Sequence, residues 1–259
     1  MKPNDRIIGR PIRCNRQALK NNGEYTDVIF LGDVHWGSPQ CDKKRFTNML
    51  DYCLKHKLYV LLMGDMLEMS TRDSVGSGVY EQDFPGQTQH EQMVEMLRPL
   101  AEAKLILGTH SGNHCDRVYK STGVNIAKAL ARELSVPFLG AACWNEFRVG
   151  KQTYTIYSLH GATGSRFDGT ALLAVERIST SFFCDLVAHA HIHKCVNSIV
   201  LMQRVVNGRV TEHKKHLLIT GSYLTYDKSY GQALGLPISK LGSPRVRFYS
   251  TKKDIVITW

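Results

Sequence analysis

Seven side chains that could bind metal ions lie in five short segments of this chain. They offer carboxylate, imidazole and one amide oxygen, without a thiolate, a mixed nitrogen and oxygen set that suits manganese, iron, zinc or magnesium. The set is too large for one ion and therefore suggests two. The candidate ligands are Asp33, His35, Asp65, Asn113, His160, His189 and His191.

The elements that must position these residues begin as alternating strands and helices. Apolar runs predict buried strands at 28–31, 58–63 and 104–107. Helical spacing of apolar residues predicts helices at 43–57, 90–103 and 125–134. Asp33, Asp65 and Asn113 follow the three strands. Open α/β sheets bind ligands beyond the carboxyl ends of their strands, so we expect a functional site there.

The rest of the chain is predicted to be mainly antiparallel strands. These are predicted at 147–149, 153–158, 184–188, 196–206, 216–220, 246–249 and 255–258, with one helix at about 170–180. No clean linker is visible, so residues 26–259 are predicted to form a single domain with two facing sheets. The polar and basic residues 1–25 are predicted to form an N-terminal arm or edge. The long loop 70–89, which contains Gly76-Ser77-Gly78, is predicted to be a functional lid or rim.

Composition favours a globular protein of the reducing cytoplasm. Of the 259 residues, 43% are hydrophobic and 22% are charged, which excludes a disordered or fibrous class. We expect no membrane segment and no signal peptide, because no apolar run approaches the roughly 20 residues of a span. The seven cysteines form no Cys-x-x-Cys pair and are interpreted as buried reduced thiols.

The chain carries a net charge of +10, with 33 basic and 23 acidic residues. Such an excess favours polyanionic partners, of which nucleic acid is the commonest. The alternative is that the basic surface serves only solubility.

The order and spacing of the metal-binding segments resemble those of the calcineurin-like metallophosphoesterase superfamily. The matching motifs are Asp33-Val34-His35, Gly64-Asp65-Met66-Leu67-Glu68, Gly112-Asn113-His114, His160 and Ala188-His189-Ala190-His191. The resemblance covers residues 27–193. It implies an α/β fold of the α+β type, a four-layer αββα sandwich in which two facing mixed sheets are flanked by helices.

The resemblance also implies roles for individual residues. One divalent ion, with Mn²⁺ the first candidate, would bind Asp33, His35 and His191. A second would bind Asn113, His160 and His189, and Asp65 would bridge the two. The implied reaction is attack of a metal-bound hydroxide on a phosphate ester. His114 would be the catalytic histidine, which contacts a phosphate oxygen or protonates the leaving alkoxide.

Some residues depart from the family pattern. Cys115 follows His114 where the family has Asp or Glu, and the acid comes one place later as Asp116. Either Asp116 or another carboxylate would then have to orient His114. Ala188 stands where glycine is usual, and Arg117 is a candidate for binding phosphate or for a surface salt bridge.

Other side chains near the motifs have alternative roles or a structural interpretation. Trp36 could stack on a nucleobase or pack at the rim of the site. Core packing, a dimer contact and substrate binding are equal candidates for Tyr223, Tyr226 and Tyr230. The isolated histidines are interpreted as surface or structural residues: His110, His193, His213 and His216.

The leading hypothesis is a two-metal phosphodiesterase or nuclease that acts on DNA or RNA, with Asn113, His114 and Arg117 as substrate-binding residues. One alternative is a phosphomonoesterase for proteins, nucleotides or small esters. The other is a nucleic-acid-binding or assembly module with weak catalysis. The oligomeric state stays open, with a homodimer as one candidate.

Overall fold

The computed structural model describes residues 14–72, 74, 78–165 and 167–259. Within these residues, twelve strands form two six-stranded sheets. The first sheet contains, in spatial order, β12 (Ile255–Thr258), β11 (Arg245–Tyr249), β2 (Tyr25–Leu31), β3 (Tyr59–Leu62), β4 (Ile106–His110) and β5 (Phe138–Gly140). The second contains β1 (Asn15–Leu19), β6 (Ala142–Val149), β7 (Gln152–Leu159), β8 (Leu186–His189), β10 (Arg209–Thr220) and β9 (Cys195–Val206).

Helices cover the outer faces of both sheets. They are α1 (Lys43–His56), α2 (Gly86–Glu102), α3 (Asn113–Thr122), α4 (Ile126–Glu133), α5 (Asp168–Ser179) and the short α6 (Tyr230–Ala233), with a 3-10 turn at Val79–Glu81. Helix α1 begins where the Asp42 carboxylate accepts a hydrogen bond from the Arg45 N–H. It ends at Lys57, which has a left-handed φ of 53°.

Three apolar clusters hold the layers together. The outer cluster of the first sheet packs α1 and α2 on the strands through residues such as Phe46 and Leu97. The central cluster joins the two sheets, with Phe30 from β2 and Phe147 from β6. The third cluster packs α5 on the second sheet through Val175. The predicted four-layer sandwich of two mixed sheets between helices is therefore confirmed.

The sheets place the ends of several strands at one edge of the molecule. Strands β2, β3, β4 and β5 run parallel, so their carboxyl ends lie together. The prediction of an antiparallel second half was wrong in part, because β8 runs parallel to both β7 and β10. Helix α5 connects β7 to β8, and a helical crossover of this kind returns the chain in the parallel direction.

Two predicted segments lie partly outside the described residues. In the predicted N-terminal arm, residues 15–19 form β1, an edge strand parallel to β6, and residues 1–13 are not described. In the predicted lid, residues 73 and 75–77 are not described, and residues 86–89 belong to α2. Among the described helices, none is both long and apolar enough to cross a bilayer.

Candidate metal centre

Two turns place a carboxylate beyond the ends of β2 and β3. Asp33 and Asp65 both have a left-handed backbone, with φ of 49° and 45°. Non-glycine residues rarely adopt this conformation, and it is enriched at functional sites. The turns are bonded to each other, because the Asp33 N–H donates to the Gly64 carbonyl and the His35 N–H donates to the Asp65 carbonyl, both at 3.0 Å. Both carboxylates are buried and held close together.

The two carboxylates each keep one oxygen without a hydrogen bond. Asp33 Oδ1 and Asp65 Oδ2 are buried and accept none, although imidazole nitrogens approach them at 3.4 Å and 3.1 Å. A buried carboxylate is costly unless it is paired or binds a metal. Since carboxylates and imidazoles suit a divalent cation, these residues fit divalent metal ions. The number of ions and their identity stay predictions.

The first cluster of candidate ligands contains Asp33, His35 and His193, whose ligand atoms lie within 4.8 Å of one another. His193 Nε2 is 3.4 Å from Asp33 Oδ1 and 3.2 Å from His35 Nε2. The other ring nitrogen of His35 is 3.1 Å from the Glu68 carboxylate. This contact fixes the ring so that Nε2 faces the cluster, the usual arrangement for a histidine that binds a metal.

The second cluster contains Asp65, His160 and His191, with Asn113 beside them. His160 Nδ1 donates to the Met63 carbonyl at 2.9 Å, which leaves Nε2 to face Asp65 and Asn113. The Asn113 side-chain oxygen is 3.0 Å from His160 Nε2 and 2.9 Å from His191 Nδ1. Asp65 also forms a group with His35 and His114, so it lies where a bridging ligand would have to lie.

The grouping of the histidines in the structure differs from the division that the resemblance implies, and their roles as ligands stay predictions. His193, interpreted from sequence as a surface or structural residue, lies with Asp33 and His35, and His191 lies in the second cluster. Among the described residues, His189 belongs to none of the three groups of candidate ligands, but its Nε2 is buried and has no hydrogen-bond partner there, so its role as a ligand stays a prediction. His189 is the last residue of β8 and packs under Gly161, where an added Cβ would come 2.1 Å from its ring.

The charges of the site keep both carboxylates anionic. Burial alone would raise the pKa of Asp65, but His160 and His114 hold it well below its usual range. The pKa of Asp33 is also lowered, because His193 outweighs the effect of burial. Burial opposes protonation of His160, yet Asp65 raises the pKa of that imidazole to about 9. A metal that binds His160 must displace this proton, so metal affinity is expected to rise with pH.

His114 is oriented by Glu68 and not by the acid that follows it in the sequence. Its Nδ1 lies 2.6 Å from the Glu68 carbonyl oxygen and contacts the Arg117 guanidinium, and its backbone N–H donates to Asp65 Oδ1 at 3.0 Å. Cys115 is buried, and Asp116 is exposed in the first turn of α3. Burial lowers the pKa of His114 to about 4, so the imidazole is neutral at pH 7.

Arg117 connects helix α3 to the segment that contains Glu68. Its guanidinium donates to the carbonyls of Glu68 and Met69, the latter at 3.1 Å, and contacts His114. It also lies 3.3 Å from the Glu68 carboxylate, and its side chain is only 19% exposed. Arg117 is therefore a support of the site and not the surface salt bridge that was one sequence-based alternative.

The other candidates are mainly structural. Trp36 is 8% exposed and donates to Gln92 at 2.7 Å, which is packing and not an accessible stacking face. Tyr223 is fully buried and meets Phe46 edge to face. His110 is buried, with its Nε2 2.7 Å from the Ser158 hydroxyl.

No protein-family model matches this chain, and no curated protein matches it. Similar solved structures include a phosphoesterase from E. coli, Yfce, which is 15% identical, with a TM-score of 0.44 over 90% of this chain and 98% of that chain. Vacuolar protein sorting 29 from Cryptosporidium parvum is 17% identical, with a TM-score of 0.41 over 91% of this chain and 97% of that chain. A metallophosphoesterase from Sphaerobacter thermophilus is 12% identical, with a TM-score of 0.41 over 90% of this chain and 86% of that chain.

These neighbours include proteins named as phosphoesterases, the class that the sequence motifs resemble. Their identities and TM-scores are low. The chemistry of the site is therefore inferred from the residues of this chain.

Proposed function

We propose that the chain is a metal-dependent phosphoesterase that hydrolyses phosphodiesters, with nucleic acid as its substrate. The observation that carries the proposal is the pair of aspartate and histidine clusters around buried oxygens of Asp33 and Asp65 that accept no hydrogen bond. A cluster of this composition suits metal-assisted hydrolysis, because carboxylates and imidazoles bind the divalent cations that activate water.

In this proposal some residues of the chain bind the cations and others contact the substrate. Asp33, His35 and His193 would hold one metal ion, and His160 and His191 would hold the other, with Asp65 between them. When bound, the ions supply a water that ionises near neutral pH and charge that offsets the phosphate oxygens. Asn113 lies at the exposed start of α3, where its amide can contact a metal or the substrate.

His114 is the residue best situated to move a proton. Its Nδ1 contacts the Glu68 carbonyl and the Arg117 guanidinium, so Nε2 is the atom that faces the centre, 3.9 Å from Asp65 Oδ2. An anionic phosphate beside Nε2 would favour its protonation, and the imidazolium could then donate to a phosphate oxygen or to the leaving alkoxide. Arg117 supports this geometry from behind the ring.

Nucleic acid is proposed as the substrate because the whole chain is positively charged. The excess of ten positive charges favours a polyanion and would speed its association at low ionic strength. Phosphomonoesters of nucleotides or proteins are the competing substrates, and they are compared directly in the test.

The test is hydrolysis with Mn²⁺ of a simple phosphodiester, a simple phosphomonoester, and labelled single- and double-stranded DNA and RNA. His114→Ala is expected to lower kcat by about 10²–10⁴-fold, the usual contribution of general acid–base catalysis. Asp65→Asn should be at least as damaging because it weakens both clusters. His213→Ala, whose ring packs on Phe183 away from the clusters, is the control. Hydrolysis of the monoester alone, or full activity of Asp65→Asn, would contradict the proposal.

A further inference from the structure

An apolar cleft opens directly beside the candidate metal centre. It has a volume of about 680 Å³, and His191 and His193 form part of its wall. Most of the remaining wall comes from residues 222–241, which connect β10 to β11. The volume lies within the roughly 300–1,000 Å³ range of pockets that enclose small molecules. A substrate held at the two clusters would therefore have one of its substituents in this cleft.

The wall of the cleft combines aliphatic side chains with hydroxyl groups. Leu224, Leu236 and Leu241 supply apolar surface, whereas Thr225 and Tyr226 supply polar groups. A nucleoside has the matching chemistry, since the faces of a base are apolar and its edges and sugar form hydrogen bonds. The Thr225 hydroxyl donates to the Gln40 carbonyl at 3.0 Å, so its oxygen is the atom that could accept a hydrogen bond from a ligand.

A mostly buried lysine adds positive charge to the wall of the cleft. Lys194 follows His193 in the chain, lines the cleft, and has a side chain that is only 8% exposed. Its one ion-pair partner among the described residues is Asp168, at 3.5 Å, and that carboxylate is 68% exposed. Lysine binds phosphate as a point charge, so Lys194 suits the phosphate that would join the nucleoside to the scissile bond.

We propose that this cleft binds one unpaired nucleoside next to the scissile phosphate, which makes single strands and strand ends the preferred substrates. This inference rests on the proposed function and specifies its substrate. A base can enter a concave pocket only after it leaves the stack and loses its pairing partner, and this costs least in a strand that is already single. A duplex would present its phosphates to the clusters and leave the cleft unused.

The test measures binding as well as turnover. With Mn²⁺ present, calorimetry should show that thymidine 5′-monophosphate binds at least about tenfold more tightly than inorganic phosphate, a gap worth about 1.4 kcal/mol. Leu236→Trp fills the cleft and should remove this gap. Leu201→Trp, at an exposed position of β9 outside the cleft, should preserve it. Lys194→Met should weaken the binding of thymidine 5′-monophosphate more than the binding of thymidine.

The outcomes separate this inference from the proposed function. The inference is overturned if the nucleotide and inorganic phosphate bind equally, if Leu236→Trp keeps the gap, or if decyl phosphate binds more tightly than the nucleotide. Cleavage of single-stranded DNA with any of these results would leave the proposed function intact. Nucleotide binding in the cleft without hydrolysis of any ester would refute the proposed function and support only the nucleoside-binding part of the inference.

Discussion

Glu68 acts on the candidate metal centre through the side chains that it contacts. Its carboxylate accepts from the Ser70 hydroxyl at 2.9 Å and lies 3.1 Å from His35 Nδ1. Burial would raise the pKa of Glu68, but His35, His114 and Arg117 lower it to about 2. The carboxylate is therefore charged at neutral pH and strengthens His35 as a ligand.

We predict that Glu68→Gln weakens Mn²⁺ binding by about 10–100-fold, the usual effect of losing a partner behind a metal ligand. The amide keeps the size of the side chain but removes its charge, so the fold should be retained. Calorimetric titration of the metal-free protein measures the effect. Glu133→Gln is the matched control, because Glu133 pairs with His90 on the helical face. Equal Mn²⁺ affinity in all three proteins would refute the role given to Glu68.

His110 offers a pH prediction that does not depend on metal. Burial lowers the pKa of this imidazole to about 4, from an ordinary value of 6.5. Between these values the unfolded chain binds the extra proton, so the free energy of unfolding falls as pH falls from about 6.5 to 4. The full loss is about 3 kcal/mol at 1.36 kcal/mol per pKa unit. Above pH 6.5 the contribution is complete and constant.

Urea unfolding at several pH values should show this loss in the wild type and a reduced slope in His110→Gln. Replacement of His56, an exposed histidine of α1, should leave the wild-type slope unchanged. An identical pH dependence in His110→Gln and the wild type would contradict the prediction.

At the residue scale, the motifs indicated most of the residues that lie together in the structure, whereas the histidines are grouped differently from the division that the resemblance implies. Asp33, His35, Asp65, Asn113 and His160 lie in the two clusters or beside them, as the motifs indicated. Residues 189, 191 and 193 are all histidines, so the pattern could be read in two registers. The choice depends on where β8 ends, and only tertiary packing determines that. The Ala190-His191-Ile192-His193 reading was the signal available in the sequence.

At the scale of elements, close backbone approach holds the clusters together. Gly112 precedes α3 and lies against Asp65, where an added Cβ would be 2.0 Å from Oδ1 and 2.6 Å from the backbone nitrogen. Helix α3 must approach this closely for the His114 N–H to donate to Asp65. Glycine is therefore required here by the lack of space for a side chain. Its backbone conformation does not require glycine, because any residue can adopt a φ of −125°.

We predict that Gly112→Ala displaces Asp65 or α3 and lowers kcat/KM on a phosphodiester by about 100-fold, as a misplacement of about 1 Å can. Mn²⁺ affinity should fall as well. Gly169→Ala is the control, since a Cβ there meets nothing within 4 Å. Activity of Gly112→Ala equal to that of Gly169→Ala would show that the contact with Asp65 is not needed.

Apolar runs and helical spacing were sufficient to predict most elements, but not all. Helix α3 was missed because only Cys115 of its ten residues is buried, which leaves no apolar stripe. Strand β1 was missed because it is a polar edge strand that is held by pairing with β6. The parallel pairing around β8 depends on how distant segments meet, and local patterns do not encode this.

At the scale of the whole molecule, the centre lies where the first sheet and the second sheet both contribute residues. Asp33 and Asp65 follow strands of the first sheet, whereas His160 and His191 follow strands of the second. The apolar layer between the sheets fixes their relative position. A metal ion bound to both sets of residues would therefore link the two sheets, so metal binding and global stability should be coupled.

We predict that Mn²⁺ at about 100 times its Kd raises the free energy of unfolding by about 2.7 kcal/mol. For a domain of this size that is about 5–10 °C in Tm, which differential scanning calorimetry can measure and which EDTA should reverse. Asp65→Asn should show little of this shift, and without metal it should be less stable than the wild type, because the Asp65 carboxylate lies 3.1 Å from His160 Nε2 and the variant breaks this buried ion pair. An equal Mn²⁺ shift in both proteins would mean that the ion acts at some other site. Equal stability of the metal-free variant and the wild type would mean that the contact between Asp65 and His160 does not stabilise the fold.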